Sequence, residues 1–213
     1  MALSQQVAAD DGAPRNTQPE TIPFTTPEQA LAALKLPEGF KATLFAAEPM
    51  VTQPISMAFD ERGRMWVAEC HSYSDNTENF SNDAQDKIVV FTDNDNDGKA
   101  DERKVFWGAG RRLTSAVPGL GGIWALDAPR LLFFADANRD DVPDGPPEVV
   151  LDGFDDNAVR HNIVNGLMWG PDGWLYGRHG ILATSYVGAP GTPQEKRSQI
   201  LSLVHISEPT RPY

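Results

Sequence analysis

The sequence is poor in cysteine and contains no long hydrophobic run. A single cysteine, Cys70, excludes an internal disulfide. No stretch approaches the length of a transmembrane helix. Basic residues are also scarce, because 18 of them stand against 30 acidic ones and give a net charge of −12. This balance argues against nucleic acid or an anionic membrane surface as a partner.

Several catalytic motifs are missing as well. The sequence has no nucleophile elbow, no phosphate loop, no paired zinc-ligand motif and no haem-attachment Cys-x-x-Cys-His. No helical period of useful length recurs after Pro37, which disfavours an α/β fold. The sequence therefore predicts an all-β fold.

The clearest positive feature is a hairpin that occurs twice. In residues 161–177, Gly170-Pro171-Asp172-Gly173 is a tight turn between two apolar runs. Residues 56–68 match this hairpin at an offset of 110 positions, and residues 87–93 match residues 130–136 at an offset of 43. Short strands repeating every 40 to 55 residues or so are typical of four-stranded β-propeller blades.

The domain organisation follows from this repeat. Residues 1–25 are polar and are predicted to be disordered. A short helix is expected to begin at the Thr26 cap, end at Pro37 and pack on the outside or one end of the β-domain. Residues 26–199 are predicted to form a partial propeller of about three blades. Other expected strands cover residues 41–46, 57–59, 65–69, 88–92, 104–107, 123–126, 131–134 and 148–151.

Two acidic loops offer ligands for a hard cation. Both alternate oxygen-bearing side chains in the order that opens a calcium loop, and position 6 of the first is Gly98. The candidate ligands are Asp93, Asp95, Asp97 and Asp101 in the first loop and Asp136, Asn138, Asp140 and Asp144 in the second. We expect structural calcium at both.

The loops differ from EF-hands in two respects. Position 12 is Lys104 in one loop and Pro147 in the other, and strands rather than helices are predicted on either side. The alternative interpretation is a pair of solvated hairpin tips, in which Asp, Asn and Gly hydrogen-bond their own backbone.

Two histidines lie near the second hairpin. His161 precedes it in a polar connection of the kind that lines the mouth of a propeller, and a neutral imidazole there can accept a proton from a hydroxyl. His179 follows the hairpin and can line the same mouth. The alternatives are a solvated loop histidine for His161 and a turn residue for His179. His71 has no partner pattern.

A family resemblance rests on residues 36–40, residues 59–69, the Asp93 loop and residues 161–176. This succession resembles the N-terminal propeller of bacterial membrane-bound dehydrogenase-type proteins. Those are similar in turn to the soluble glucose and sorbosone dehydrogenases that use pyrroloquinoline quinone. The resemblance spans about residues 26–197.

The resemblance implies roles for individual residues. His161 matches the general base of the quinone sugar dehydrogenases, and calcium would polarise the quinone carbonyl. Arg160 and Arg178 are candidates to pair with the carboxylates of the cofactor. Asn165 and His179 complete the expected cofactor contacts. The chain departs from these enzymes at residues 163–165, where they carry a glycine-rich stretch with an arginine.

Two functions are therefore expected. The first is a periplasmic or exported oxidoreductase that oxidises a sugar or other alcohol by hydride transfer to the quinone, with a cytochrome c as possible electron acceptor. The second is a calcium-stabilised propeller that binds carbohydrate or protein without turnover. Residues 200–213 resemble an in-frame translation of a transposon-type sequencing adapter and are predicted to be a non-native tail.

Overall fold

The computed structural model describes residues 25–73, 80–156, 163–180, 182–201 and 205–208. Most of the regular structure is β, as the sequence predicts. The helix α1 is Pro27–Ala33 and a 3₁₀ turn covers Gln194–Lys196. The strands are β1 Pro54–Phe59, β2 Met65–Glu69, β3 Asp86–Thr92, β4 Glu102–Gly110, β5 Leu113–Gly119, β6 Gly122–Asp127, β7 Arg130–Ala135, β8 Glu148–Asp152, β9 Asn165–Trp169, β10 Leu175–Arg178, β11 Thr184–Val187, β12 Ser198–Leu201 and β13 His205–Glu208.

The helix begins as predicted but is shorter and does not pack. The Thr26 hydroxyl accepts from the Gln29 N–H, and the Gln29 side chain accepts from the Thr26 N–H, which completes a capping box. The helix ends at Ala33, before Pro37, because Leu34 is already extended. No α1 residue is buried, so the expected packing against the β-domain is not seen in the described residues.

The strands form two complete four-stranded sheets and two smaller ones. The first sheet has the order β1-β2-β3-β4 and the second sheet the order β5-β6-β7-β8, both antiparallel. The third sheet has the order β13-β10-β9, and β11 pairs with β12. In the part of the chain that the structure describes, these sheets do not close into a ring or barrel.

The sequence repeats fall at equivalent positions in the sheets. The 43-residue offset relates β3 to β7, which are each the third strand of a sheet. The 110-residue offset relates the β1–β2 hairpin to the β9–β10 hairpin. Phe59 pairs with Met65 in the first, and Trp169 pairs with Leu175 in the second. The repeat interpretation is therefore confirmed at the level of strand order and register.

The core lies in layers between the sheets. Trp66, Ile88 and Phe106 of the first sheet pack against Leu113 and Phe134 of the second. A second layer, which includes Val117, Trp124, Val164 and Leu175, joins the second sheet to the third. The second sheet is therefore covered on both faces, as expected for strands that are continuous apolar runs.

One strand expectation was wrong, and the strands β5, β11 and β12 were not predicted. Residues 41–46 form no strand, although Phe45 packs on the outer face of the first sheet and its carbonyl accepts a hydrogen bond from Ala100 N–H. The strand β5 was not predicted from the sequence because Pro118 and Gly119 are residues that disfavour a strand. It pairs with β6 through all of its length except a bulge between Leu113 and Ser115.

No helix in the described residues has the length and hydropathy that a membrane crossing requires.

Candidate functional site

The two acidic loops occupy the same position in their sheets. The first, residues 93–101, joins β3 to β4, and the second, residues 136–144, joins β7 to β8. Strands flank both loops, as the sequence predicts, so they are not EF-hands.

The first loop is closed by its own carboxylates. Asp93 Oδ1 accepts from Asp97 N–H at 3.2 Å and Asp93 Oδ2 from Gly98 N–H at 2.9 Å. Asp101 Oδ2 accepts from Asn94 N–H at 2.7 Å. These bonds draw positions 1, 2, 5, 6 and 9 of the loop together around a small space.

The second loop repeats these bonds position for position. Asp136 accepts from Asp140 N–H at 3.1 Å and from Asp141 N–H at 3.2 Å. Asp144 Oδ2 accepts from Ala137 N–H at 2.9 Å. The two loops are therefore copies in structure as well as in sequence.

Both loops also place positions 4 and 6 in the left-handed region. Asn96 has φ 59° and Gly98 has φ 86° in the first loop, while Arg139 has φ 58° and Asp141 has φ 61° in the second. Asn and Gly adopt this region readily, whereas Arg resists it. The second loop therefore keeps the conformation at some backbone cost.

Three of the predicted metal ligands converge in the first loop. Oxygens of Asp93, Asp95 and Asp101 all lie within 4.8 Å of one another. Asp97 instead accepts from Lys99 N–H at 2.8 Å and pairs with Lys99 Nζ at 3.4 Å. The second loop has an amide, Asn138, at position 3, and its Oδ1 accepts from Asp140 N–H at 3.2 Å.

The second loop docks on the β1–β2 turn of the first sheet. Asp141 Oδ2 lies 2.6 Å from Arg64 Nη1, and Arg64 also pairs with Asp60 at 2.9 Å. A more exposed pair, Arg139 with Glu61 at 2.8 Å, lies beside them. The sequence analysis did not predict this contact. The feature that could have indicated it is Asp141, an aspartate at the position where the first loop has glycine.

The candidate cofactor residues lie at the other edge of the sheets. In each four-stranded antiparallel sheet, the first turn and the acidic loop lie at the same end of the strands, which we call the turn edge. The β2–β3 and β4–β5 connections lie at the opposite end of the strands, which we call the linker edge. Thr114, beside the β4–β5 connection, donates to the Val164 carbonyl at 2.6 Å, next to Asn165. In the β9–β10 pair, Asn165 lies opposite Arg178 on the neighbouring strand, so both belong to the linker edge.

The linker-edge candidates have different environments. Asn165 donates through Nδ2 to the Ile163 carbonyl at 2.9 Å, whereas Arg178 is exposed. Two further predicted site residues, Arg160 and the candidate base His161, lie outside the described residues. Of the predicted cofactor residues that the structure describes, the linker edge therefore presents the exposed Arg178, the amide Asn165 and, next to Arg178 in sequence, His179.

His179 is buried and held on one side only. Its Nε2 lies 2.6 Å from Ser185 Oγ, which itself accepts from Asp155 N–H at 2.7 Å. The serine oxygen keeps a second lone pair as well as its own proton, so this bond forms with either tautomer of the imidazole. Among the described residues, Nδ1 has no hydrogen-bond partner. Burial lowers the pKa of His179, and the nearby Asp155 charge opposes this.

A polar groove opens beside the same residues. Its volume is about 420 Å³. It is lined by Gly153, Asp155, Thr184, Tyr186, Thr192, Gln194 and Arg197. The Arg197 guanidinium donates to the Asp152 and Tyr186 carbonyls, so its main role is to stabilise the wall of the groove.

An ion pair between Glu69 of β2 and Arg103 of β4 was also not predicted from the sequence. Glu69 is fully buried and accepts from Arg103 Nη2 at 2.8 Å and from Thr52 N–H at 3.1 Å. His71 Nε2 lies 3.3 Å from the same carboxylate. Burial would raise the pKa of Glu69, but the bonds from His71 and Thr52 and the charge of Arg103 lower it overall.

The cysteine next to Glu69 has no reactive character. Burial, together with the charge of Asp86, raises the pKa of the Cys70 thiol to about 11. The thiol is therefore protonated near neutral pH and shielded from solvent, which disfavours a nucleophilic role.

Comparison with known proteins gives one result. A model of the DUF7133 family, described as a domain of unknown function, matches residues 26–206. No curated protein and no solved structure matches the chain. The match covers the two complete sheets, both acidic loops and the candidate residues at the linker edge. The chain therefore belongs to the DUF7133 family of domains.

Proposed function

We propose that this chain is a calcium-stabilised propeller domain whose linker edge oxidises a sugar or other alcohol with pyrroloquinoline quinone. The two complete sheets correspond to propeller blades, and the β9–β10 hairpin begins a further one. Supporting this, each successive sheet packs its first strand on the sheet before it, since β1 packs beside β5 and β5 beside β9. Face-to-face stacking of four-stranded meanders is typical of propellers.

The observation that carries the calcium proposal is the duplication of the loop. Two segments with different residues at positions 4 and 6 keep the same hydrogen bonds and the same left-handed positions. In the first, carboxylates of Asp93, Asp95 and Asp101 come together. Hard oxygen ligands in this number suit Ca²⁺, and the missing glutamate at position 12 leaves room for water.

Calcium in these loops would stabilise the fold and would not take part in the oxidation. The loops lie at the turn edge, whereas Asn165 and Arg178 lie at the linker edge. A cation at the turn edge is on the wrong side to polarise a carbonyl that Arg178 holds. Its effect is to offset the repulsion between the carboxylates and to stabilise the conformation of each acidic loop.

The linker edge supplies groups that fit a polycarboxylate cofactor. Pyrroloquinoline quinone, when bound, would supply the hydride acceptor. Arg178 is exposed and can pair with a carboxylate in bidentate fashion. The buried Nδ1 of His179 has no hydrogen-bond partner among the described residues, and a polar group of a ligand would supply one. We assign the removal of the substrate hydroxyl proton to His161, with Arg160 as a further carboxylate partner.

The test is dye reduction by the purified chain supplied with calcium and the quinone, over a panel of sugars and alcohols. We expect turnover that needs the quinone and is lost in His161→Ala. A control variant, Arg139→Ala, removes a cation from the turn edge and should leave the rate unchanged. Activity that survives His161→Ala contradicts the assignment of the base.

A second function is favoured by the polar groove beside Asp155. In this alternative the domain binds carbohydrate or protein without turnover, and calcium raises stability only. It predicts no quinone-dependent reduction with any substrate, together with saturable binding of a sugar that Thr184→Val and Gln194→Ala weaken. We further propose an exported or periplasmic location and a cytochrome c acceptor, which fractionation of the source cells and reduction of added cytochrome c would test.

A further inference from the structure

The hairpin formed by β11 and β12 lies against the end of β8 and borders the polar groove. Gly188 and Asp152 exchange both of their backbone hydrogen bonds, at 2.9 and 3.1 Å. Tyr186 N–H also donates to the Gly153 carbonyl at 3.2 Å. The residues that line the groove come from both sides of this contact, so the groove is formed where the hairpin meets the second sheet.

Strand β11 turns two of its side chains to the groove. Ser185 and Val187 are buried, and Ser185 contacts His179 in the interior. Side chains alternate between the two faces of a strand. Thr184, which is exposed, and Tyr186, which is half-buried, therefore face the other way and line the groove. A ligand there meets a hydroxyl group and a phenol ring.

Arg197 fixes one wall of the groove. Its Nε donates to the Thr192 carbonyl at 2.8 Å, and its Nη1 donates to the Asp152 and Tyr186 carbonyls at 3.2 and 3.4 Å. A side chain at Gly153 would overlap both the Tyr186 carbonyl and the Arg197 guanidinium, so glycine allows this close approach. The wall is held in place before a ligand arrives, which lowers the entropic cost of binding.

Three polar side chains of the lining keep their hydrogen-bonding capacity. They belong to Thr184, Thr192 and Gln194, for which no side-chain hydrogen bond exists within the part of the chain that the structure describes. A hydroxyl group both donates and accepts, and so does a primary amide. Ligand groups that also donate and accept, above all hydroxyl groups, match this set.

The charge that remains in the groove is negative. Asp155 lines it, and one carboxylate oxygen of this residue accepts from Thr184 N–H at 3.4 Å. The basic residue of the lining, Arg197, is balanced by the Asp152 carboxylate at 3.4 Å. Hydrogen bonds from hydroxyl groups to an ionised carboxylate are stronger than bonds between neutral groups. A neutral polyol therefore gains bonds at Asp155, whereas a polycarboxylate such as the quinone is repelled.

We propose that this groove binds a neutral carbohydrate unit, with Asp155 accepting from its hydroxyl groups and the Tyr186 ring against its apolar face. Thr184 and Gln194 bond further hydroxyl groups of the same unit. The volume of about 420 Å³ lies within the range of small-molecule sites, roughly 300 to 1,000 Å³. This assignment rests on the carbohydrate binding proposed above and gives it a place, a ligand charge and a central residue.

The experiment is a nuclear magnetic resonance titration of the isotope-labelled chain, without quinone, with neutral oligosaccharides of glucose, galactose, mannose and xylose. At least one of them should give saturable shifts in residues 153–155, 184–186 and 192–197. An oligogalacturonate, which carries a carboxylate on each unit, should bind more weakly than the best neutral ligand by about tenfold or more.

Asp155→Asn tests the charge. It should weaken binding of the neutral ligand about tenfold, and it should reduce the discrimination against the oligogalacturonate. Gln194→Ala removes an exposed amide and should weaken binding without disturbing the fold. Asp83→Asn makes the same change as Asp155→Asn at an exposed aspartate outside the groove, and it should leave the affinity unchanged. The spectrum of each free variant shows whether it is folded.

Three results would overturn the proposal. The first is that no neutral oligosaccharide binds saturably, and the second is binding that folded Asp155→Asn and Gln194→Ala leave unchanged. The third is saturable binding with shifts confined to other residues, which removes the groove as the site but keeps carbohydrate binding as a function. Quinone-dependent dye reduction is measured separately and does not depend on any of these results.

Discussion

Asp141 of the second acidic loop forms an ion pair with Arg64 of the first sheet, with 2.6 Å between Oδ2 and Nη1. Arg64 is also held by Asp60, which accepts from the Trp66 indole N–H at 3.1 Å as well. Burial disfavours the charge of Arg64, but hydrogen bonds and charge from Asp141 and Asp60 raise its pKa overall. The second loop is thus a candidate cation site, and its ion pair with Arg64 also links the two sheets.

Replacing Asp141 by Asn should weaken this contact between the two sheets. Asn keeps the shape and tolerates the left-handed backbone of position 6, so the change isolates the charge. Both partners are mostly buried, with side chains 13% and 15% exposed, which places the pair between a surface and a buried salt bridge. We expect a loss of about 2 kcal/mol in the free energy of unfolding, measured by urea denaturation.

The neighbouring pair Arg139–Glu61 is the matched control for that experiment. Its side chains are 60% and 64% exposed, so Glu61→Gln should cost less than about 1 kcal/mol. Equal effects of the two substitutions would show that the Arg64 contact has no special role in joining the sheets.

Glu69 and Arg103 should be a strong determinant of stability. Arg103→Met leaves the Glu69 carboxylate buried without its cation, which should cost about 3 kcal/mol. Because the bonds and charge at Glu69 lower its pKa, its contribution is present above the unfolded pKa of 4.5 and declines as pH falls through the folded pKa. The double variant Glu69→Gln, Arg103→Met should recover part of the loss, and no recovery would argue against coupling.

His179 should make stability rise with pH in a different window. Its pKa is lowered from 6.5 by burial, so the unfolded chain binds a proton that the folded chain does not. Stability is therefore complete above about pH 6.5 and falls below it, by at most about 1.4 kcal/mol per pH unit. Denaturant midpoints from pH 7.5 to 5.0 measure this slope, and His179→Gln should reduce it. An unchanged slope would place the titration elsewhere.

The sequence predicted what repeats but not what the repeats contact. Strand order and hairpin register followed from local patterns, such as the turn of Gly170 to Gly173. The Arg64–Asp141 pair joins residues 77 positions apart, and no local pattern identifies such partners. Glu69 likewise meets Arg103 across 34 positions. Long-range ion pairs depend on how sheets stack, which alternating hydrophobicity leaves open.

Residues 41–46 show the opposite failure. Their alternating sequence suits a strand, yet no neighbouring strand pairs with them in the described residues, and they lie beside the first acidic loop. At the candidate site, the order of the candidate ligands could be read from the sequence because those of each loop lie within nine consecutive residues. The position of His179 against Ser185 was not, since it depends on how the chain turns back after β10.

Substitution within each loop should remove calcium from that loop alone. Asp101→Asn changes a converging ligand of the first loop, and Asp144→Asn changes its counterpart in the second. Each variant should lose one of two calcium equivalents and part of the thermal stabilisation that calcium gives. At a free calcium concentration of 100 times Kd, a single site stabilises the fold by about 2.7 kcal/mol. Asp172→Asn, in the unrelated β9–β10 turn, should bind as wild type.

The most direct test of the account is calorimetric titration of the chelator-treated chain with calcium. The duplicated loops predict saturable binding of two ions, with magnesium far weaker because the loops offer flexible oxygen ligands rather than a strict octahedron. Binding should fall to one ion in Asp101→Asn and to none when Asp144→Asn is added. No saturable heat in wild type, or binding that both substitutions leave intact, would contradict calcium at the turn edge.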